Sequence, residues 1–298
     1  MIRVRVPASS ANMGAGFDTL GVALNLYSRL EVEERESGLE IVTLNSTGYV
    51  PQDKSNLVYR AMEQVFNAVG KRPSGLYICQ DSAIPMTRGL GSSSGCIIGG
   101  MLAANALTGR KLPYKEILNL AAQMEGHPDN VAPAMYGGLC VSMMADGKTF
   151  TKSIKLDNKI RFAVMIPDFF VATKKSRGVL PDMVSRKDAA FNIQHAAMFA
   201  EAMRTGDTEL LRYAVEDRLH QQYRKGYIDG FDEIMEKTYS LGARATYLSG
   251  SGPTIVSIID KDYFKFTESM SKFFKENSHK WTCKVLETDN VGSVLSEV

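Results

Sequence analysis

The stretch Pro85-Met-Thr-Arg-Gly-Leu-Gly-Ser-Ser-Ser-Gly95 runs straight into the apolar segment Cys96-Ile-Ile-Gly-Gly-Met-Leu-Ala-Ala104. A glycine-rich turn that opens a buried helix lets the backbone approach an anion closely. Successive N–H groups then point at the anion along the positive end of the helix dipole. Gly89 and Gly91 provide the permissive backbone, and Ser92, Ser93 and Ser94 are expected to provide the helix cap and ligand hydroxyls. The competing reading is a glycine-rich loop with a serine N-cap and no ligand. The stretch lacks the Gly-x-x-x-x-Gly-Lys-Ser/Thr of a Walker loop, and no Gly-x-Gly-x-x-Gly follows a strand.

The rest of the chain limits the setting. With 298 residues, 44% of them apolar, there is enough material for one large or two modest domains. The net charge is +2, and no basic cluster exceeds Thr173-Lys-Lys-Ser-Arg177, so composition does not support nucleic acid binding. Cys79, Cys96, Cys140 and Cys283 are widely separated and mostly apolar in context, which predicts buried free thiols in a reducing compartment. Met1-Ile-Arg-Val-Arg-Val-Pro7 enters a strand pattern directly, and no segment reaches 18 unbroken apolar residues. The expectation is a cytoplasmic globular protein without a leader or membrane span, whose partner is a small-molecule substrate. A homodimer is compatible with this reading.

Alternation at Ile2, Val4 and Val6 predicts a first strand, followed by a polar loop Pro7–Asp18. Further strands are expected at Leu30–Glu33, Leu39–Leu44 and Gly75–Cys79. A helix starts at Ser55, with Leu57, Val58, Ala61, Met62, Val65, Phe66 and Val69 at helical spacing, and Gly70 stops it. The glycine-rich loop leads into a buried helix to about Leu107, and Pro113 opens another to about Glu125. The tight loop Gly126–Pro133 precedes a hairpin through Gly137–Met143, turning at Ala145–Lys148. A composition change at Leu156–Lys159 suggests domains at 1–157 and 158–298. Beyond it come a strand at Phe162–Ile166 and helices near 187–204, 207–217, 228–241 and 261–276. Three more strands are expected, at Ala243–Leu248, Ile255–Ile259 and Thr282–Leu286. Strands and helices intermix without strict alternation, which favours an α+β class.

Four polar loops, at Pro7–Asp18, Pro85–Gly95, Glu125–Asn130 and Ser249–Thr254, sit between these elements, where sites are usually built. Their residue types are complementary: backbone amides in one, Glu125, His127, Asp129 and Asn130 in a second, Asn12 and Asp18 in a third. Phosphoryl transfer calls for a phosphate cradle, Mg²⁺ on carboxylate or hydroxyl oxygens, and a positioned acceptor. Ser93 and Glu125 are the natural metal pair. Each has a plainer reading: a helix cap for Ser93, a solvated last turn for Glu125, a loop histidine for His127, and turn formation for Asn12 and Asp18. His127 lacks the Cys and His companions of a metal site.

Pro85-x-x-x-Gly-Leu-Gly-Ser-Ser resembles the second motif of the GHMP small-molecule kinases. Pro7-Ala-Ser-Ser-Ala-Asn-Met-Gly-Ala-Gly-Phe-Asp18 resembles their first motif, and Ser249-Gly-Ser-Gly-Pro-Thr254 their third. Within that superfamily, residues 9–18, 125–133 and 172–181 are most similar to the homoserine kinase branch. The resemblance implies transfer of the ATP γ-phosphate to the side-chain hydroxyl of L-homoserine, in threonine biosynthesis. It also implies an N-terminal domain like ribosomal protein S5 domain 2 and a ferredoxin-like C-terminal domain.

Carried over residue by residue, Pro85, Met86, Thr87, Arg88, Gly89, Leu90, Gly91, Ser92, Ser93, Ser94 and Gly95 would wrap the triphosphate, with Asn56 at the adenine. Asn56 also stands at a helix start, where capping is the other reading. Ser93 and Glu125 match the Mg²⁺ ligands. Asn12, Asp18, His127, Asp129, Asn130, Thr173, Arg177 and Arg224 match the acceptor side. An arginine suits the α-carboxylate through bidentate hydrogen bonds, and Asp18 suits the α-ammonium. The family's usual Ser-Ser-Ala-Ala reads Ser93-Ser94-Gly95 here, which weakens the helix start by up to ~1 kcal/mol. Only Gly126-His-Pro separates Glu125 from Asp129, shorter than in some relatives.

Where several family members place a catalytic aspartate, this chain has Asn130, and an amide is no base at neutral pH. Catalysis by positioning and electrostatics is therefore expected, with Asp129 as general base the rival. The alternatives in function are a GHMP kinase for another hydroxyl acceptor, such as mevalonate, or a non-catalytic sensor of the same fold. Retention of both Ser93 and Glu125 argues against the sensor.

Overall fold

The computed structural model describes residues 1–45, 48–157 and 159–297, with the side chains of Thr173 and Lys174 outside that description. In chain order the first elements are β1 (Ile2–Ala11), β2 (Leu20–Arg35), β3 (Gly38–Asn45), α1 (Leu57–Val69), β4 (Gly75–Ser82) and α2 (Ser92–Leu107). Then come α3 (Tyr114–Glu125), α4 (Val131–Tyr136), β5 (Leu139–Ala145), β6 (Lys148–Ile154), β7 (Arg161–Pro167), α5 (Thr173–Arg177) and α6 (Arg186–Thr205). The remainder is α7 (Leu211–Ala214), α8 (Gln221–Arg224), α9 (Phe231–Ser240), β8 (Ala245–Leu248), β9 (Ile255–Ile259), α10 (Tyr263–Glu276), β10 (Trp281–Leu286) and β11 (Val294–Glu297).

The architecture is the mixed α+β one expected, with the strands in two sheets. The first has the order β11-β1-β2-β4-β3, with β5 and then β6 branching from β2. The second has the order β10-β7-β9-β8 and is antiparallel throughout. The expected boundary at 157/158 meets Asn158, which lies outside the described residues. The last strand, β11, pairs with β1, so the end of the chain returns to the first sheet.

Several expectations need correction. β1 continues to Ala11, taking Pro7–Ala11 out of the expected loop Pro7–Asp18, with a register shift between Pro7 and Ala8. A proline, which has no N–H for the ladder, is tolerated at such an irregularity. β2 is far longer than Leu30–Glu33 because it serves three partners, β1 from Gly21 to Val32, β4 through Ser28–Arg35 and β5 through Leu20–Val22. Its early residues are buried on both faces and therefore do not alternate in sequence. The helix expected over 207–217 shrinks to Leu211–Ala214, and the loop before the hairpin contains α4.

Side-chain periodicity explains the layers. α1 is amphipathic and buries Val58, Ala61, Met62, Val65 and Phe66; Gly70 ends it in the left-handed conformation. α2 is apolar all round because it is buried among the first sheet, α1, α3 and α4. In β7, Phe162 and Val164 face a core shared with α6 and the start of β2, while Ala163 and Met165 face α9 and α10. That shared core also contains Ala8, Met13, Leu20 and Leu24, so the two sheets are tied together by apolar packing.

Candidate active site

The polar loops converge on one cavity of about 320 Å³. Its wall takes in Asn12, Asn56, Met86 to Gly89, Gly91 to Ser93, Glu125, His127, Asp129, Asn130, Arg177 and Arg224. Pro85, Leu90, Ser94 and Gly95 form the frame of the glycine-rich loop behind that wall; Leu90 is buried in the core shared by the sheets. The side chain of Thr173 lies outside the described residues.

The first and third loops hold the second in place. Ser9 N–H donates to Leu90 O at 3.2 Å, and Thr254 N–H to Arg88 O at 3.3 Å. Ser249 Oγ donates to Gly89 O at 2.5 Å and lies 2.7 Å from Ser10 Oγ. Asn12 Nδ2 donates to Gly250 O at 2.9 Å, while its Oδ1 accepts from Asp18 N–H.

The helix cap differs from expectation. Gly91, in the left-handed conformation (φ 72°), caps α2 without any side-chain bond. The serine hydroxyls are drawn elsewhere: Ser93 Oγ donates to one oxygen of Glu125 (3.0 Å) and Ser94 Oγ to the other (3.3 Å). A methyl group on Gly91 would lie 2.0 Å from Ser9 Oγ, on top of the left-handed strain of about 1–2 kcal/mol. At Gly95 the nearest atoms are an ordinary 3.8 Å away. Gly91→Ala should therefore raise the ATP KM at least tenfold and lower Tm, whereas Gly95→Ala should stabilise the fold by about 0.5–1 kcal/mol. Thermal melts and nucleotide KM values check both.

Asn56 caps α1: its Oδ1 accepts from Val58 N–H (2.9 Å) and Tyr59 N–H (3.3 Å), and its amide donates to Pro51 O (2.7 Å). Capping occupies most of its hydrogen-bonding capacity, although it still lines the cavity. Arg88 is also engaged, donating to the carbonyls of Met86 (2.9 Å) and Asp168 (2.7 Å). It thereby joins the glycine-rich loop to the segment leading into α5.

On the other side of the cavity, Arg177 makes a bidentate pair with Asp18, at 2.7 and 3.2 Å. His127 Nδ1 is hydrogen-bonded to Asp129 Oδ1. Burial opposes charge on His127, but this bond and the charge of Asp129 outweigh it and hold the imidazole pKa above its ordinary value. Asn130 Oδ1 accepts from Ser9 Oγ at 2.9 Å. Asp18, His127 and Asp129 bring donor atoms within 4.8 Å of one another. Both carboxylates already have a basic partner, Asp18 in Arg177 and Asp129 in His127.

Sequence reasoning missed several contributors. Thr43 and Gln80 are cross-strand neighbours on the wall, and Thr43 Oγ1 and Gln80 Nε2 are buried without a hydrogen-bond partner. On a cavity wall, polar atoms of that kind can be met by a ligand's polar edge or by water. Gln80 departs from the apolar run of β4, and that was the available signal. Phe17, stacked on His220 and lying beneath both Arg177 and Arg224, carried no such signal.

A cradle of this kind, fixed between two other motif loops beside a charged pocket, defines a small-molecule phosphotransferase of the GHMP type. The family models agree: GHMP kinases N terminal domain matches residues 56–138, and GHMP kinases C terminal matches 199–275. The chain belongs to the GHMP kinases. It is 48% identical over 300 residues to the homoserine kinase of Caldicellulosiruptor saccharolyticus, covering 100% of this chain and 97% of that one. It is 44% identical to the homoserine kinase of Clostridium beijerinckii, covering 100% and 99%. Among solved structures, homoserine kinase from Cytophaga hutchinsonii superposes with a TM-score of 0.88 at 26% identity, covering 99% of this chain and 97% of that one. L. major mevalonate kinase shares the fold at 18% identity, with a TM-score of 0.73 over 96% and 95% of the chains.

Proposed function

We propose that this chain phosphorylates the side-chain hydroxyl of L-homoserine with ATP, giving O-phospho-L-homoserine for threonine biosynthesis. The observation that carries the reading is charge of both signs on the cavity wall beside the phosphate-type loop: Asp129 with Arg177 and Arg224, and Asp18 paired to Arg177. A zwitterionic acceptor matches that pattern, its carboxylate facing guanidinium and its ammonium facing carboxylate. Mevalonate has a carboxylate but no ammonium and leaves the acidic side unmatched. The identity with homoserine kinases supports the same choice. A cytoplasmic location fits the four free thiols.

ATP would lie along the loop 85–95, its base toward the orphaned Thr43 and Gln80. Ser93 and Glu125 would hold Mg²⁺; a hydroxyl and a carboxylate 3.0 Å apart are the hard oxygen donors that ion takes. Once bound, the ion supplies positive charge to the nucleotide's phosphate oxygens. The chain's own residues do the rest. Arg177 and Arg224 orient the acceptor, and Asn130 and Asp129 border the place of its hydroxyl. Asn130 is no base, and Asp129 is engaged by a His127 whose raised pKa favours the cation. The hydroxyl proton therefore passes to a phosphate oxygen or water, and catalysis rests on positioning and electrostatics.

An ADP-release assay across homoserine, mevalonate and galactose tests the substrate. Turnover is expected with homoserine, and its absence would overturn the reading. Asp129→Asn tests the mechanism: we expect homoserine KM to rise about tenfold with kcat falling less than tenfold. A kcat loss of ~10²–10⁴ at unchanged KM would instead mark Asp129 as the general base.

A further inference from the structure

We propose that His220 is a positioning residue for the acceptor carboxylate, acting through Arg224. This rests on the reading of Arg224 as part of the acceptor pocket, but its evidence is separate.

His220 is completely buried just ahead of α8. Its Nε2 lies 2.9 Å from Gly14 O, and its Nδ1 lies 3.1 Å from Arg224 Nη1. A carbonyl only accepts and a guanidinium only donates. The two contacts together therefore require the neutral tautomer with the proton on Nε2, leaving Nδ1 as the acceptor for Arg224. Burial favours that form, pulling the imidazole pKa below its ordinary value.

The ring is fixed from three directions. Phe17 stacks on it with centroids 5.3 Å apart. The buried carboxylate of Asp217 accepts from the backbone N–H groups of His220 (3.0 Å) and Gln221 (2.7 Å), which orients the start of α8. Gly14 belongs to the first motif loop, 206 residues away in sequence. His220 thus sets the distance between that loop and Arg224.

Arg224 is only 2% exposed, and the protein uses two of its three guanidinium nitrogens. Nε donates to Ser176 O at 3.2 Å, and Nη1 is shared between His220 and Gly250 O at 3.0 Å. Among the described residues Nη2 has no partner, and Arg224 lines the cavity. A planar fork pinned at two nitrogens can direct only its third. The acceptor at His220 Nδ1 decides where that third nitrogen points.

The test compares His220→Asn, whose amide oxygen can take the place of Nδ1, with His220→Leu, which has no acceptor. We expect His220→Asn to keep homoserine KM within about threefold of wild type. His220→Leu should raise it tenfold or more, with ATP KM unchanged in both. Equal homoserine KM in the two variants, or ATP KM rising in step, would overturn the proposal. Should His220→Leu fail to fold, the ¹⁵N histidine spectrum of the wild-type protein, assigned with His220→Asn, decides: Nε2–H is expected, and a proton on Nδ1 refutes it. Absence of homoserine turnover in wild type would sink the substrate reading, while the tautomer would still report on the His220–Arg224 contact.

Discussion

Glu125→Gln is expected to lower kcat by about 10²–10³-fold, the loss of about 3–4 kcal/mol of charge stabilisation in phosphoryl transfer. Glutamine keeps the volume and can still meet the Ser93 and Ser94 hydroxyls, so the fold and the loop should survive. What disappears is the anionic oxygen pair that a divalent cation needs. The pH dependence should disappear with it. Burial pushes the Glu125 pKa above the ordinary carboxylate range, against the opposing effects of His127 and the Ser93 and Ser94 hydrogen bonds. Protonation competes with cation binding, so in the wild type the Mg²⁺ needed for half-maximal rate should climb as pH falls through that raised pKa. In Glu125→Gln the Mg²⁺ requirement should be high and flat over the same window. Rates measured across a Mg²⁺ and pH grid check both statements, and a wild-type requirement independent of pH would remove Glu125 from the metal site.

How far the sequence discloses such a site depends on the range of the forces that shape it. α1 was legible because helical spacing runs cleanly through Val58, Met62, Val65 and Phe66, and β9 because the short run Ile255–Ile259 is rich in β-branched residues and follows a glycine- and proline-containing loop. The early part of β2 was not, because covering both faces erases the alternation that marks a strand. β11 is four residues, mostly exposed, and forms because β1 offers an open edge nearly the whole chain away. No local pattern encodes that. In the site, glycine spacing and loop composition pointed to the phosphate cradle and to the Ser93–Glu125 pair. The serine cap was misjudged because the left-handed Gly91 closes the helix start against Ser9, a contact invisible to local propensity. Arg177 and Asp18 were each assigned to an opposite end of the acceptor, yet they bind each other across 159 residues. A zwitterion entering there exchanges one internal ion pair for two external ones, so the pocket's charges are balanced before and after binding.

Arg224→Gln should raise homoserine KM by about 10²-fold while leaving ATP KM near its wild-type value. Loss of one partner from a buried, hydrogen-bonded charge contact costs ~2–5 kcal/mol, much of it from the groups left behind. Here those groups are Ser176 O, Gly250 O and His220 Nδ1, all of which accept from Arg224. Burial and the repulsion of Arg177 lower the Arg224 pKa to about 10, so the side chain is charged at neutral pH but less firmly than an exposed arginine. A carboxylate entering the pocket relieves that cost, which makes the guanidinium a better anion receptor than a solvated one. Lysine should not rescue the site, because a single ammonium cannot donate to Ser176, Gly250 and His220 while also reaching the acceptor. The ATP side should be spared, since no hydrogen bond joins Arg224 to the loop 85–95 among the described residues. An Arg224→Gln enzyme with homoserine KM within threefold of wild type would mean that Arg177 holds the carboxylate alone. The Asp18–Arg177 pair would then have to open completely before the acceptor could bind.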